Sequence, residues 1–93
     1  MFVLLVVLKV KAGQEQALEK DFAGLFTAAI SAQDGFRHVS LLRSNDAGDS
    51  VLFIAFESQP LQQKWVATEL HGQVWPIMES HLVEYTVKTY TTV

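Results

Sequence analysis

Two stretches of this chain are apolar at nearly every position instead of every second one. Phe2–Val10 reads FVLLVVLKV and Val51–Glu57 reads VLFIAFE. A strand with one wet face alternates, and a strand that does not alternate is covered on both faces. Both stretches are therefore read as strands covered on both faces. Phe36–Ser44 and Leu82–Thr92 do alternate, with Arg37, Val39, Leu41 and Arg43 opposite His38, Ser40 and Leu42, and Val83, Tyr85 and Val87 opposite Glu84, Thr86 and Lys88. Alternation of that kind suits edge strands.

Helical stretches separate the strands. Gln14 to about Ala32 places Leu18, Phe22, Leu25 and Ala29 on one stripe, widened by Phe26 and Ile30. Gly13 can cap its start, and Gly35 suits a left-handed stop. Asn45–Asp49 is turn-forming. Ser58 is a cap for a helix that begins near Pro60 and carries Leu61 and Trp65. Ala67-Thr68-Glu69 interrupts that helix, and a last one runs from about Glu69 to Ser80.

The order is β-α-β-β-α-β, the split-βαβ, ferredoxin-like pattern. Right-handed crossovers give a four-stranded antiparallel sheet in the order 4-1-3-2, with both helical layers on one face. The α+β chain, residues 1–93, is read as a single domain. The other face of the central strands is apolar too, and leaving it bare would expose a large patch. The expectation is a homodimer in which two sheets pack face to face, burying more than about 1,000 Å² in total.

Composition removes several classes of function. Seven Lys and Arg are scattered along the chain and the net charge is -3, so no basic stripe exists for nucleic acid. There is no cysteine, hence no thiolate chemistry or disulfide framework. Three histidines, at 38, 71 and 81, form no metal signature. The five glycines stand apart, without a phosphate loop. The apolar start lacks a basic flank and a cleavage site, and is too short to span a bilayer. A cytoplasmic protein without membrane attachment is expected.

Local motifs run in a consistent order. Strand 1 ends in Lys11-Ala12-Gly13. Gly35 precedes Leu41-Leu42-Arg43-Ser44. Phe56-Glu57-Ser58, Trp65-Val66-Ala67-Thr68 and His71 follow. Together they resemble the antibiotic biosynthesis monooxygenase family, small dimeric α+β barrels, many of them cofactor-independent. The resemblance implies oxidation of a small aromatic, a quinol or anthrone-like phenol, with dioxygen as co-substrate and no cofactor. A non-catalytic ligand-binding or sensory dimer of the same fold is the alternative. A haem-degrading branch of the family uses an Asn on strand 1, a Trp and a His. Trp65 matches, but strand 1 is apolar near Val6 and the His position falls nearer Trp75, which argues against haem.

The richest stretch for a site is Leu61–His81, with both tryptophans and two histidines. Trp65 can stack on a ring or simply pack helix on sheet. His71, near the start of the last helix, can be a general base on a phenol or an ordinary exposed side chain. Trp75 lies one turn on, with Met78 next in line, as a pocket wall or a buried stripe. His38 can reach a pocket or face solvent. Arg43 reads as a structural ion pair, and His81 as a helix-end cation without chemistry. The expected site is therefore His71 as catalytic base, with Trp65, Trp75, His38 and Met78 binding substrate.

Overall fold

The computed structural model describes residues Met1–Val93. Four strands, β1 (Phe2–Val10), β2 (Phe36–Leu42), β3 (Ser50–Phe56) and β4 (Leu82–Thr91), form one antiparallel sheet in the order β2-β3-β1-β4. This is the 4-1-3-2 order read from the other edge. The two non-alternating strands are central and the two alternating ones are edges, as their patterns require.

Register explains which residues face the helices. Leu4, Val6 and Leu8 of β1 lie opposite Ile54, Leu52 and Ser50 of β3. On this side Leu8, Leu52 and Phe56 are fully buried. Val39 and Leu41 of β2 pair with Ile54 and Leu52, so they share the helix side. The register slips between Phe36 and His38, leaving Arg37 as an extra residue. The slip keeps Phe36 on the helix side, where its ring meets Phe56 edge-on at 6.1 Å. Arg37 therefore does not share a face with Val39, as strict alternation had it. A second slip lies between Lys9 and Val10 opposite β4.

The first helical region is not one α-helix. It divides into α1 (Glu15–Asp21), a π-turn (Phe22–Phe26) and α2 (Thr27–Ser31). The Thr27 amide donates to the Phe22 carbonyl, the five-residue step of a π-turn, and its hydroxyl donates to the same carbonyl at 2.8 Å. Gly13 stands in a left-handed turn at φ 80° and Gln14 is the N-cap residue, so Gly13 does not cap the helix. Gly35 does take the left-handed conformation, at φ 76°. A Cβ there would lie 2.5 Å from Leu61 Cδ1, so glycine also permits the close approach of the second helical layer.

That second layer is α3 (Gln59–Val66) and α4 (Glu69–Glu79). Ser58 caps α3, accepting from the Leu61 amide at 3.4 Å. Thr68 caps α4, and the helix continues through Pro76. Trp65, Phe26, Ile30, Val74 and Met78 press onto the sheet as its core. No helix is long and apolar enough to cross a membrane.

The helices cover only one side of the sheet, and they do not reach all of it. Along β4 only Leu82 is buried. On the far side Leu5, Val7, Val51 and Phe53 are half-covered, with Leu42 and Tyr90 about half exposed.

Candidate functional site

Where the helical layer stops short of β4, a cavity of about 290 Å³ opens between helices and sheet. Its base is the helix side of the central strands, from Leu4, Val6, Leu52 and Ile54. Its far wall comes from Phe26, Trp65, His71 and Trp75. Tyr85 and Val87 of β4 form the mouth, and both are substantially exposed. No charged residue lines it.

One short connection sets the wall. The Thr68 hydroxyl donates to the Trp65 carbonyl at 2.7 Å and accepts from the His71 amide at 3.1 Å. It is both the cap of α4 and the link back to the last turn of α3. The result is a Trp65 ring edge-on to His71 at 5.0 Å. Trp75, one turn along α4, lies nearly parallel to His71 at 6.4 Å and edge-on to Tyr85 at 5.1 Å. Phe26 meets both tryptophans edge-on, at 6.1 and 6.2 Å.

The polar groups are few. His71 is half-buried, and burial holds its pKa below the ordinary 6.5. At neutral pH its imidazole is therefore uncharged and one ring nitrogen can accept a proton. Gln62 is 8% exposed and lines the cavity. No protein group hydrogen-bonds its amide, and no polar atom is sealed away unpaired. The amide therefore opens on the cavity space. Tyr85 adds a hydroxyl at the mouth. A planar aromatic ligand could lie among these rings with an oxygen against His71 or Gln62.

The structure brings together Trp65, His71 and Trp75. It sends the other two expected substrate contacts elsewhere. Met78 shares the helical face of His71, but seven residues of rise carry it about 10 Å further along the axis. There it is fully buried in the closed core and does not line the cavity. His38 pairs with Ala55 on the far side of the sheet, where it contacts Ser40 Oγ at 3.1 Å and the Phe53 ring edge-on. Strand parity puts it there, since His38, Ser40 and Leu42 lie opposite Val39 and Leu41, which face the helices.

Arg43 pairs with Glu19 across the first helical layer, at 2.5 Å, as a structural ion pair. His81 is tied down as well, with Nδ1 2.7 Å from Gln14 Oε1 and Nε2 2.7 Å from Asp21 Oδ2. No group of three or more His, Asp or Glu side chains comes together as a metal site. The sequence pattern does not mark Gln62, Phe26 or Thr68 as part of a site, and it suggests core or interface for Tyr85, which instead lines the cavity. Thr68 carried the one legible signal, a threonine just before an acidic helix start.

A four-stranded antiparallel sheet in the order β2-β3-β1-β4 under a split helical layer defines the class of small α+β, ferredoxin-like domains. Residues 1–74 match the family described as Antibiotic biosynthesis monooxygenase. The chain belongs to that family. The match ends just before Trp75, so that residue and the β4 mouth lie beyond it. No curated relative matches by sequence. Among solved structures, the chain is similar to a mutant of SnoaB, a cofactor-independent oxygenase from Streptomyces nogalater. That pair has TM-score 0.87 and 17% identity, covering 98% of this chain and 91% of the other. It is similar to Rv0793 from Mycobacterium tuberculosis, with TM-score 0.82 and 18% identity over 99% and 94%. It is also similar to a mutant of MhuD with two manganese protoporphyrin IX bound per active site, with TM-score 0.77 and 19% identity over 100% and 95%. At identities this low the likeness shows the fold alone.

Proposed function

We propose that the protein is a cofactor-independent monooxygenase that oxidises a small, uncharged aromatic, a quinol or anthrone-like phenol, with dioxygen. The observation that carries this reading is a neutral, half-buried His71 held between two tryptophans in an otherwise apolar cavity. His71 takes the acidic proton of the bound ring. The resulting electron-rich anion transfers one electron to dioxygen, and the superoxide and ring radical combine to a peroxide. The imidazolium returns its proton as the peroxide collapses. One oxygen atom forms the new C–O bond; the O–O bond breaks and the other oxygen leaves as water, with the imidazolium's proton and the remaining hydrogen of the oxygenated carbon. All four electrons come from the substrate, so no reductant is required. Trp65 and Trp75 bind the ring, Gln62 holds an oxygen, and the apolar lining keeps bulk water from quenching the anion. A reducing cytoplasm would keep a quinol available in its reduced form.

Haem fits these residues poorly. The cavity is at the floor of ordinary ligand pockets, roughly 300–1,000 Å³, and no Lys or Arg lines it to pair with propionates. The far side of the sheet supports a homodimer as part of the same proposal. Phe53, Val7 and Leu5 are half-covered there, beside the exposed Leu42 and Tyr90. A second copy packed on that face would cover them.

The test is oxygen uptake by the protein with a panel of quinols and anthrones in the presence of a chelator, with and without added haemin. Uptake with a product at the quinone level, carrying one new oxygen, and no effect of chelator or haemin is expected. Tight ring binding without any uptake would replace the enzyme with a ligand-binding module. Uptake only after haemin is added, with a Soret shift, would replace the cofactor-free reaction.

A further inference from the structure

A second cavity, of about 360 Å³, opens where the start of α3 meets the start of β1 and the end of β4. Its lining is mostly polar, with Glu57, Ser58, Gln59, Thr89 and Thr91 beside Phe2. Strand register sets it against the first cavity. Val6 pairs with Val87, Leu4 with Thr89 and Phe2 with Thr91. Val6, Val87 and Leu4 line the first cavity, whereas Thr89, Phe2 and Thr91 line the second. Leu4 and Thr89 are thus direct cross-strand partners across the border, and such partners stand roughly 5 Å apart. Helix α3 repeats the order. Trp65 and Gln62 line the first cavity, and Gln59, three residues before Gln62 on the same helical face, lines the second.

Polarity rises along this row, from the Trp65 ring to the Gln62 amide to the groups of the second cavity. Gln62 is 8% exposed and its amide has no protein partner, so whatever fills the space beside it must satisfy it. Charge narrows the chemistry further. No Lys or Arg lines the second cavity, which leaves phosphate or carboxylate without a side-chain cation. Glu57, its one carboxylate, is already paired with Arg37. The remaining side chains are hydroxyls and an amide, which both donate and accept hydrogen bonds, as the hydroxyls of a sugar do.

We propose that the second cavity is a subsite for a neutral polyhydroxyl substituent, a glycosyl group, carried by the ring ligand of the first. The inference rests on the reading that the first cavity takes a quinol-like ring, and it extends that ligand from a bare ring to an aromatic glycoside. The ring packs among the aromatic side chains with a free hydroxyl for His71. The sugar pairs with Thr89, Thr91 and Gln59.

The test is calorimetric binding, under nitrogen, of hydroquinone, its monoglucoside arbutin and its monophosphate. Arbutin keeps one free hydroxyl and adds one glucose. It is expected to bind the unsubstituted protein at least about fivefold more tightly than hydroquinone, through added hydrogen bonds. The monophosphate should bind no more tightly than hydroquinone. Thr89→Val and Gln59→Ala should each weaken arbutin about threefold to tenfold, the usual effect of one hydrogen bond, and leave hydroquinone within about twofold. Both side chains are exposed, so the variants should fold. Arbutin that binds no more tightly than hydroquinone would overturn the proposal, as would equal losses for both ligands in either variant. A monophosphate that binds more tightly than arbutin would mark an anion site and also overturn it. The expected preference for arbutin without oxygen uptake from hydroquinone would leave the subsite standing and remove the monooxygenase. Uptake from hydroquinone with no gain from glucose would do the reverse. Failure of all three to bind would remove both.

Discussion

The two faces of the sheet are built from the same kinds of residue and do different things. On β3, Phe56 points toward the helices and is fully buried, while Phe53 points away and is only half-covered. On β1, Leu8 is sealed, while Leu5 and Val7 are not. Apolar character alone therefore does not say what a face is for. What separates them is the neighbour: the helices close one face and leave a cavity at its edge, while no helix covers the other, where only Val3 and Ala55 are buried. The covered face holds the candidate chemistry, and the other is the face on which the proposed second copy would pack.

The sharpest way to break that comparison is to truncate the two phenylalanines in turn. Phe56→Ala should cost about 3–5 kcal/mol, the usual cost of emptying a sealed aromatic site. Its urea midpoint should fall at every protein concentration. Phe53→Ala should act through association instead, since a dimer that binds only the folded chain makes the midpoint depend on concentration. The unsubstituted midpoint should rise with concentration, and Phe53→Ala should remove that rise. Equal, concentration-independent losses for both would mean that the far face is part of the monomer's own core.

Thr68→Ala probes the covered face more gently. Losing this cap should cost about 0.5–2 kcal/mol. It should also weaken ring binding, because the same hydroxyl joins Trp65 to His71. A stability loss with unchanged binding would mean that the wall is set by packing alone.

A pH titration gives a smaller, signed effect. His71 has a lowered pKa in the folded chain because burial disfavours its charged form. The unfolded chain then binds the proton first as pH falls. This contribution to stability is complete above the ordinary 6.5 and is lost progressively as pH drops from there through the lowered folded value. Turnover should fall over the same lower range, as the base becomes protonated. A rate that falls instead as pH rises through neutrality would exclude a neutral imidazole base. Least of all is expected from Arg43→Ala: its pair with Glu19 lies in solvent, and the urea midpoint should not move measurably.

The fold was legible because strand patterns report neighbours directly. Two unbroken apolar runs and two alternating ones leave few sheet orders, and Ser58, Gly35 and the Asn45–Asp49 turn mark the boundaries. The site was half-legible. Trp65, His71 and Trp75 follow from helical spacing. Met78 follows the same spacing but lies too far along the axis, a distance that a face pattern does not carry. His38 lies opposite Val39 and Leu41 by simple alternation, but which face of β2 meets the helices is decided by its pairing with β3. Phe26 depends on the π-turn, whose extra residue looks in sequence like a slightly wide helical stripe. Gln62 reads as one more polar residue on a polar helix until the fold closes over it.

The most direct measurement compares the unsubstituted protein with His71→Ala at saturating quinol, recording oxygen uptake, while ring affinity is taken separately from tryptophan fluorescence. The account predicts that uptake falls by about 10²–10⁴-fold, the usual range for a general base, while affinity changes by less than about threefold. Uptake that persists unchanged in a folded His71→Ala protein would contradict it and move the proton transfer away from His71.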